Sequence, residues 1–288
     1  MPLVSIKNEL LRARQGGYAI PLFDTYDMNS TEGMFAAIEE RRAPVIAAIY
    51  STWMDFPWIP AYAAYIRARA EKSPVPVTLY LDHGADFEQC MRAISLGFTD
   101  VMYDGSKLPV EENMKNTKEI VRAAHAMGIS VEAELGHVGQ GSEYQDFAAQ
   151  RKGFTDPELA ARFVEETGVD FLAVAIGTAH GVYRGKPQLD LDLLAQIRAA
   201  VDVPLVLHGG SGLSEEQFRA AIKGGISKVN VATDLYRTTG RRLVETAQKE
   251  DGINYQGLMK AAMDSFQERC GYYLDLFGTT GKAPCQEF

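Results

Sequence analysis

The stretch Leu79-Tyr80-Leu81-Asp82-His83-Gly84 ends an apolar, strand-like run on a carboxylic acid and an imidazole. His180 and His208 each follow a similar apolar run farther along the chain. Parallel strands that are buried on both faces read as short apolar runs, and eight such strands bring their carboxyl ends to one rim when the sheet closes into a barrel. Histidines distant in sequence are therefore predicted to meet there, as ligands of one metal ion.

The rest of the chain alternates strand-like and helix-like segments. Candidate strands are Ala19–Phe23, Val45–Tyr50, Val77–Leu81, Asp100–Tyr103, Ser130–Glu134, Phe171–Ala175, Leu205–Leu207 and Lys228–Val231. Candidate helices between them are Asp86–Leu96, Val110–Met127, Asp156–Thr167 and Ser214–Lys223. This alternation predicts an α/β fold, a (β/α)8 TIM barrel with a closed parallel sheet. An open doubly wound sheet is disfavoured because its glycine-rich phosphate loop should follow the first strand, and residues 24–27 contain no glycine.

The length of the chain predicts one domain, residues 1–288, since a single barrel commonly occupies about 250 residues. Residues 243–277 predict two further helices around Gly252-Ile253-Asn254-Tyr255, so extra C-terminal helices are expected. The formal net charge of -9 argues against nonspecific binding to nucleic acid or anionic lipid.

Cysteine usage and the amino terminus bear on the compartment. Cys90, Cys270 and Cys285 form no CxxC pair and are odd in number, which fits a reducing compartment better than a disulfide framework. Residues 1–17 lack the basic start and apolar core of a signal peptide. No segment approaches the roughly 20 apolar residues of a membrane span. We therefore expect a cytoplasmic protein.

Nearly every late strand ends on a polar group suited to metal binding or acid–base chemistry. These groups are Asp82, His83, Asp104, Glu132, Glu134, His180, His208, Asn230, Thr233 and Asp234. A lone histidine after a strand is usually a neutral, hydrogen-bonded side chain, but three at converging strand ends favour ligation of one ion. Glu132 and Glu134 lie on one strand face, so one could orient a ligand or bind the metal. Alternatively, either could simply pair with a lysine.

The segment His208-Gly209-Gly210-Ser211-Gly212, followed by a helix from Ser214, resembles a phosphate cradle. Small residues let backbone N–H groups approach an anion, and Ser211 adds a hydroxyl. Asn230 and Thr233 follow the eighth strand, and barrel enzymes usually bind phosphate after their last two strands. These positions predict a ligand that carries a phosphate.

Several long segments carry a family resemblance: LDHGADFEQCMRAISLGFTDVMYDGS, SVEAELGHVG, TDPELAARFVEETGVDFLAVAIGTAHGVY, VPLVLHGGSG and KVNVATDL. They resemble those of class II, zinc-dependent ketose-bisphosphate aldolases, closest to the tagatose-bisphosphate aldolase branch, and span roughly Gly17 to Leu235. The resemblance implies an enzyme, a zinc-dependent aldehyde-lyase that cleaves or forms a ketose 1-phosphate or 1,6-bisphosphate. The implied products are dihydroxyacetone phosphate and an aldehyde, and the implied route is a zinc-stabilised enediolate.

The resemblance also implies a set of metal-site residues. It implies Zn2+ held by His83, His180 and His208. Asp104 and Glu134 match family positions near the metal, which they hold in an alternate resting position.

The resemblance further implies how a substrate is handled. It makes Asp82 the acid–base group that acts on the C4 oxygen. The residues implied to contact dihydroxyacetone phosphate are Gly181, Gly209, Gly210, Ser211, Asn230, Val231, Ala232 and Thr233. A monovalent cation, Na+ or K+, is implied beside Gly181 and Ser211. The expected partner is a small-molecule sugar phosphate rather than nucleic acid or a membrane, and a homodimer or homotetramer is expected.

Two departures separate the chain from the family pattern. The family usually has asparagines after the first strand, where this chain has Asp24 and Asp27. A carboxylate would repel a nearby phosphate and accept rather than donate hydrogen bonds, so poor turnover of fructose or tagatose 1,6-bisphosphate is predicted. The family loop GGxED is replaced by GQGSE at residues 139–143, which makes Glu143 the candidate base for the donor-carbon proton. Further candidates for the acceptor side are Tyr26, Ser51, Trp53 and Trp58.

Two other classes of function remain open. A zinc hydrolase in the same barrel would use a metal-bound water, although the HxH pair typical of amidohydrolases on the first strand is missing from residues 19–23. A noncatalytic sugar-phosphate binding protein would not need Asp82 beside three histidines. A metal assay combined with proton exchange on dihydroxyacetone phosphate separates the three.

Overall fold

A closed barrel of parallel strands forms the centre of the molecule. The computed structural model describes residues 3–143, 147, 151–249 and 254–284. Its strands are β1 (Ile20–Asp24), β2 (Val45–Tyr50), β3 (Val77–Gly84), β4 (Asp100–Tyr103), β5 (Ser130–Leu135), β6 (Gly139–Gln140), β7 (Phe171–Val174), β8 (Ala179–His180), β9 (Leu205–Leu207) and β10 (Ile226–Val231). The barrel order is β1-β10-β9-β7-β5-β4-β3-β2, while β6 and β8 pair separately. The predicted (β/α)8 TIM barrel is confirmed.

Helices surround this barrel. They are α1 (Lys7–Gly16), α2 (Met28–Arg41), α3 (Ile59–Ala70), α4 (Phe87–Ser95), α5 (Val110–Ala126), α6 (Pro157–Thr167), α7 (Leu191–Ala200), α8 (Glu215–Gly224), α9 (Thr233–Ala247) and α10 (Tyr255–Leu276). Three of the predicted helices begin on residues that cap the observed ones: the side chains of Asp86, Asp156 and Ser214 each accept a hydrogen bond from the backbone N–H three residues later.

The C-terminal helices differ from the sequence prediction in one respect. The prediction began two extra helices at Leu243, but α9 already begins at Thr233, directly after β10. It is therefore the helix that the eighth barrel strand requires, and α10 is the additional C-terminal helix. Helix α10 packs against α2 and α9.

Two apolar cores hold the fold. The larger one lies between the sheet and the surrounding helices. The smaller one fills the amino-terminal part of the barrel, where Ile20 and Leu22 of β1 meet Tyr80, Met102 and their neighbours. Helix α1 adds the buried side chains of Leu10 and Ala13 to this inner core, and its N-cap residue Ile6 adds a third. The helix thus covers the amino-terminal end of the barrel, and the carboxyl-terminal rim is left for the site.

Strand β3 continues beyond its predicted end at Leu81. Asp82 still pairs with Tyr50 of β2, and Gly84 pairs with Tyr103 after a register shift. His83, at this irregularity, has φ 53°, in the left-handed region that non-glycine residues rarely occupy. The sequence pattern carries no signal for this local strain, because the neighbouring strand determines where the register shifts.

Within the described part of the chain, no helix is long and apolar enough to cross a membrane. Cys90 and Cys270 are buried and form no disulfide, and Cys285 lies outside the described residues.

The contact between α2 and α10 depends on a glycine. A Cβ added at Gly33 would lie 2.4 Å from the carbonyl oxygen of Met263 and 2.7 Å from Cβ of Phe266. We predict that Gly33→Ala lowers the free energy of unfolding by about 1–3 kcal/mol through overpacking. Gly240→Ala in α9 is the matched control, because nothing lies within 4 Å of its added Cβ. It should raise the stability by about 0.5–1 kcal/mol. Urea unfolding measures both, and equal changes would contradict the packing argument.

Candidate metal centre and active site

A cavity of about 510 Å³ opens at the carboxyl ends of the barrel strands. Its lining consists of Asp24, Tyr50, Asp82, His83, Asp104, Ser106, Lys107, Glu134, His137, Val138, Gly139, Gln140, His180, Gly181, Gly209, Gly210, Ser211, Asn230, Ala232, Thr233 and Tyr236. Most of the residues that the sequence predicts for a site are in this set. The cavity therefore lies where barrel enzymes carry their active sites.

Four side chains beside the cavity converge on one point. His83, Glu134, His180 and His208 each offer a ligand atom, and these atoms all lie within 4.8 Å of one another. The ring centroid of His83 is 4.6 Å from that of His208 and 4.9 Å from that of His180. Three imidazoles and a carboxylate form a donor set that suits zinc. The structure thus brings together the three histidines that the strand ends predicted.

The imidazole of His83 is held by a carboxylate. Its Nδ1 lies 2.8 Å from Oδ2 of Asp104, whose other oxygen accepts hydrogen bonds from the backbone and hydroxyl of Ser106. Burial alone would raise the pKa of Asp104, but the hydrogen bond and charge of His83 lower it well below its usual range. A proton on Nδ1 leaves Nε2 of His83 free to bind a metal. Asp104 is not among the four converging groups, so its geometry supports orientation of His83.

His208 is fully buried between two glutamates. Its Nε2 lies 2.9 Å from Oε1 of Glu132 and its Nδ1 lies 2.9 Å from Oε2 of Glu134. The second pair lacks hydrogen-bond geometry, and both of its atoms are buried without a hydrogen-bond partner. Two buried ligand atoms that converge in this way fit a shared cation. The side chains of this group therefore suit a bound metal ion.

The charges around His208 and His180 differ. Burial lowers the pKa of His208, but its close contacts with the carboxylates of Glu132 and Glu134 outweigh burial and raise that pKa to about 10. The two carboxylates thus favour a positive charge between them, which a proton or a metal ion supplies. For His180, burial and the neighbouring His83 lower the pKa well below its usual value. Neutral imidazole is the form that binds metal.

His180 is positioned by the small sheet at the rim. Strand β8 pairs with β6, so that Gln140 lies beside His180 in register. Sequence analysis did not predict these short strands, because each has only two residues.

A buried lysine lies beneath the site, and sequence analysis missed it. Lys228 Nζ lies 2.9 Å from Oε2 of Glu132 and donates a hydrogen bond to Oδ1 of Asn230 at 2.8 Å. Asn230 Nδ2 donates in turn to Oδ1 of Asp82 at 2.8 Å. The signal was present, since Lys228 stands two residues before Asn230 on the same face of β10. Glu132 pairs with the lysine, which is the alternative given for either glutamate, while Glu134 offers one of the four converging ligand atoms.

Asp24 lies in the cavity wall, and its Oδ1 is buried without a hydrogen-bond partner. Burial, and then the charge of Asp82, raise the pKa of Asp24 well above its usual value. The repulsion of phosphate predicted from sequence requires an ionised Asp24, whereas these surroundings favour the neutral acid. Asp27 does not line the cavity; its carboxylate caps α2 by accepting from the backbone N–H of Ser30.

The predicted phosphate cradle lines one side of the cavity. Gly209 has φ 69°, and a Cβ there would lie 2.4 Å from the carbonyl oxygen of Ala179, so only glycine fits. Ser211 Oγ accepts a hydrogen bond from the backbone N–H of Asp234. Helix α9 begins next to it with Ala232 at the N-cap and no side-chain cap. Uncapped N–H groups at a helix start favour an anion.

Some predicted residues fall outside the cavity wall. Val231 is fully buried in the larger core, and Ser51 is buried in a short 3-10 helix that lies outside the lining. The side chain of Glu143 lies outside the described residues. Tyr26 packs against Trp53 and Trp58, with ring centroids 4.7 and 5.6 Å away. These aromatic residues adjoin the cavity through two lining residues that sequence analysis missed, Tyr50 and Tyr236.

A barrel with a histidine and carboxylate metal group at its carboxyl rim defines a class of candidate metalloenzymes. Residues 4–282 match the family described as fructose-bisphosphate aldolase class-II. The chain is 37% identical over 287 residues to a probable fructose-bisphosphate aldolase of Bacillus subtilis, covering 98% of this chain and 100% of that protein.

Solved structures agree with this match. The crystal structure of the YdjI aldolase from Escherichia coli K12 superposes with a TM-score of 0.88 at 35% identity, covering 98% of this chain and 100% of that one. A putative fructose-1,6-biphosphate aldolase from Coccidioides immitis gives 0.84 at 31% identity, with 96% of both chains covered. The chain belongs to the class II fructose-bisphosphate aldolase family and is a lyase. The resemblance predicted from its motifs is confirmed at the family level.

The contact between His83 and Asp104 yields a test of metal positioning. Asp104→Asn removes the negative charge that holds His83, and we expect zinc affinity to fall roughly 10- to 100-fold. Asp156→Asn is the control, because asparagine also caps a helix and this residue caps α6 without lining the cavity. Competition with a chromogenic chelator measures both affinities. Unchanged zinc affinity in Asp104→Asn would remove the orienting role.

Proposed function

We propose that the chain is a zinc-dependent aldolase that cleaves or forms a ketose 1-phosphate or 1,6-bisphosphate. The proposed products of cleavage are dihydroxyacetone phosphate and an aldehyde. The observation that carries the proposal is the convergence of His83, His180 and His208 at a cavity whose lining includes His83, His180 and Asp82. His208 borders this cavity from its fully buried position.

In this proposal the three histidines hold the metal, with Glu134 as a further ligand near it. Bound zinc would polarise the ketone of the substrate, which removes the need for a covalent bond to a lysine. Lys228 is held by Glu132 and Asn230 beneath the cavity floor and does not line the cavity. Its place supports a charge-balancing role.

Asp82 is the proposed acid–base residue. In cleavage it takes the proton of the C4 hydroxyl as the C3–C4 bond breaks, and in condensation it returns this proton to the aldehyde oxygen. The amide of Asn230 holds Oδ1 of Asp82, which leaves Oδ2 for the proton. Glu143 is the proposed base for the donor-carbon proton, because it ends the short turn that follows β6 at the rim.

The donor phosphate is proposed to bind the cradle opposite the metal group. Gly181, Gly209, Gly210 and Ser211 line this side of the cavity together with the start of α9. Backbone N–H groups of small residues and the helix start would stabilise the dianion. A monovalent cation beside Gly181 and Ser211 and a homo-oligomeric assembly belong to the same proposal.

The function is tested by metal removal with three readouts. Chelation should abolish both cleavage and the exchange of the donor-carbon proton of dihydroxyacetone phosphate with solvent, and added zinc should restore them. Borohydride added with substrate should leave the protein mass unchanged. A trapped lysine adduct would overturn the metal mechanism. Phosphate-ester binding without exchange would favour a binding protein, and ester or amide hydrolysis without exchange would favour a zinc hydrolase.

A pair of substitutions separates metal binding from proton transfer. Asp82→Asn should keep zinc and the fold, yet lose cleavage by roughly 10²–10⁴-fold, because it removes the acid–base group. His208→Ala should lose zinc. Asp86→Asn is the control, since this nearby residue is exposed and caps α4 with a side chain that asparagine replaces. Equal zinc loss in Asp82→Asn and His208→Ala would assign Asp82 a ligand or structural role.

The protonation of Asp24 decides its effect on substrate choice. Burial, and then the charge of Asp82, raise the pKa of Asp24 and so disfavour its charged form, and Asp24→Asn should therefore change the turnover of fructose and tagatose 1,6-bisphosphate by less than about threefold. An ionised Asp24 would instead repel phosphate, and the substitution would then increase bisphosphate turnover well beyond this range. Steady-state kinetics with both bisphosphates give the answer, and proton exchange on dihydroxyacetone phosphate serves as the internal control.

A further inference from the structure

A second cavity of about 310 Å³ adjoins the predicted phosphate cradle on its outer side. Its lining consists of Gly181, Val182, Tyr183, Gly185, Lys186, Pro187, Ser211, Gly212, Thr233, Asp234, Arg237 and Arg241. Gly181, Ser211 and Thr233 line both cavities, so the two are separated only by the cradle itself. The second cavity then continues along α9, away from the metal group.

Three cationic side chains line this second cavity. Lys186, Arg237 and Arg241 have no carboxylate oxygen within 4.0 Å and no side-chain hydrogen bond among residues 3–143, 147, 151–249 and 254–284. Asp234 is the acid in the lining, and it is already occupied by Arg269 and by the hydroxyl of Tyr273. The cavity therefore carries an excess of positive charge in a chain whose formal net charge is -9.

The arrangement on α9 is unfavourable for the helix alone. Arg237 and Arg241 are four residues apart, so they lie on the same face and repel each other. The adjacent Arg242, by contrast, pairs with Glu268 of α10. An anion bound between Arg237 and Arg241 would offset this repulsion.

We propose that Lys186, Arg237 and Arg241 form a second binding site for a phosphate-type oxyanion, next to the cradle for the donor phosphate. Guanidinium groups present several N–H donors in a fixed plane that matches phosphate oxygens, and a lysine adds a third point charge. Ser211 and Thr233 line both cavities, and their hydroxyls are neutral donors available to the same anion. The inference rests on the proposed function only in that the cradle is taken as the first phosphate site.

The site is tested by counting phosphate ions on the zinc-loaded, full-length protein. Isothermal titration with inorganic phosphate at low ionic strength should give two sites per chain. The variant Lys186→Gln, Arg237→Gln, Arg241→Gln should lose one site, with at least a tenfold drop in its affinity. The control Arg242→Gln should keep both, because its side chain belongs to the pair with Glu268. Circular dichroism confirms that the variants fold. The single variant Arg241→Gln, a milder change, should weaken the second site less than the triple variant does.

Two further titrations distinguish a free phosphate ion from a ligand with two linked phosphates as the occupant of the second site. A free ion should still bind after the protein is saturated with dihydroxyacetone phosphate. A ligand with two linked phosphates would span both cavities, so inorganic diphosphate should then bind once per chain, at least tenfold more tightly than phosphate, and should lose this advantage in the triple variant. Either result supports the second site.

The opposite results are equally clear. The proposal fails if the wild type binds only one phosphate per chain. This holds whether or not the triple variant binds that phosphate more weakly, because the three cations then form no site separate from the cradle. It also fails if the triple variant keeps two sites. Failure of the aldolase chemistry appears separately, as loss of proton exchange on dihydroxyacetone phosphate while the phosphate count stays at two.

Discussion

The site depends on an ion pair that is fully buried inside the barrel. Lys228 and Glu132 lie on β10 and β5, and neither side chain is exposed to solvent. Removal of one partner from such a pair typically costs about 3–5 kcal/mol, because the other charge is left without compensation. Burial raises the pKa of Glu132, but Lys228 and His208 outweigh it and lower that pKa to about 2. The lowered pKa favours the negatively charged form of Glu132 beneath His208.

From this pair, hydrogen bonds extend to both halves of the site. One branch passes from Glu132 to His208 and so to the metal group, and the other passes from Lys228 through Asn230 to Asp82. The proposed ligand and the proposed acid–base residue are thus oriented by the same buried charges. Below them the interior is apolar and is covered by α1. The barrel supplies a rigid floor, and the rim supplies the chemistry.

The sequence predicted the barrel and the histidines well because both depend on local periodicity: apolar runs mark the strands, and polar residues mark their ends. Features that depend on closure of the sheet were not accessible. Lys228 meets a partner 96 residues away, and His83 adopts its left-handed backbone where two strands change register. Ser51 shows the opposite case, since it follows a strand as the pattern requires, yet its place in a short 3-10 helix keeps it out of the cavity wall.

The short pairing between β6 and β8 connects two parts of the site that are distant in sequence. Gln140 lies in register with His180 in the parallel pair of β6 and β8, and the turn that leads to Glu143 begins at the next residue, Gly141. The carbonyl oxygen of Gly141 also accepts a hydrogen bond from the backbone N–H of Arg184. The segment that carries the proposed base is therefore mechanically tied to the strand that carries a proposed metal ligand. The position of the turn at residues 141–143 and the position of His180 are therefore coupled through the backbone.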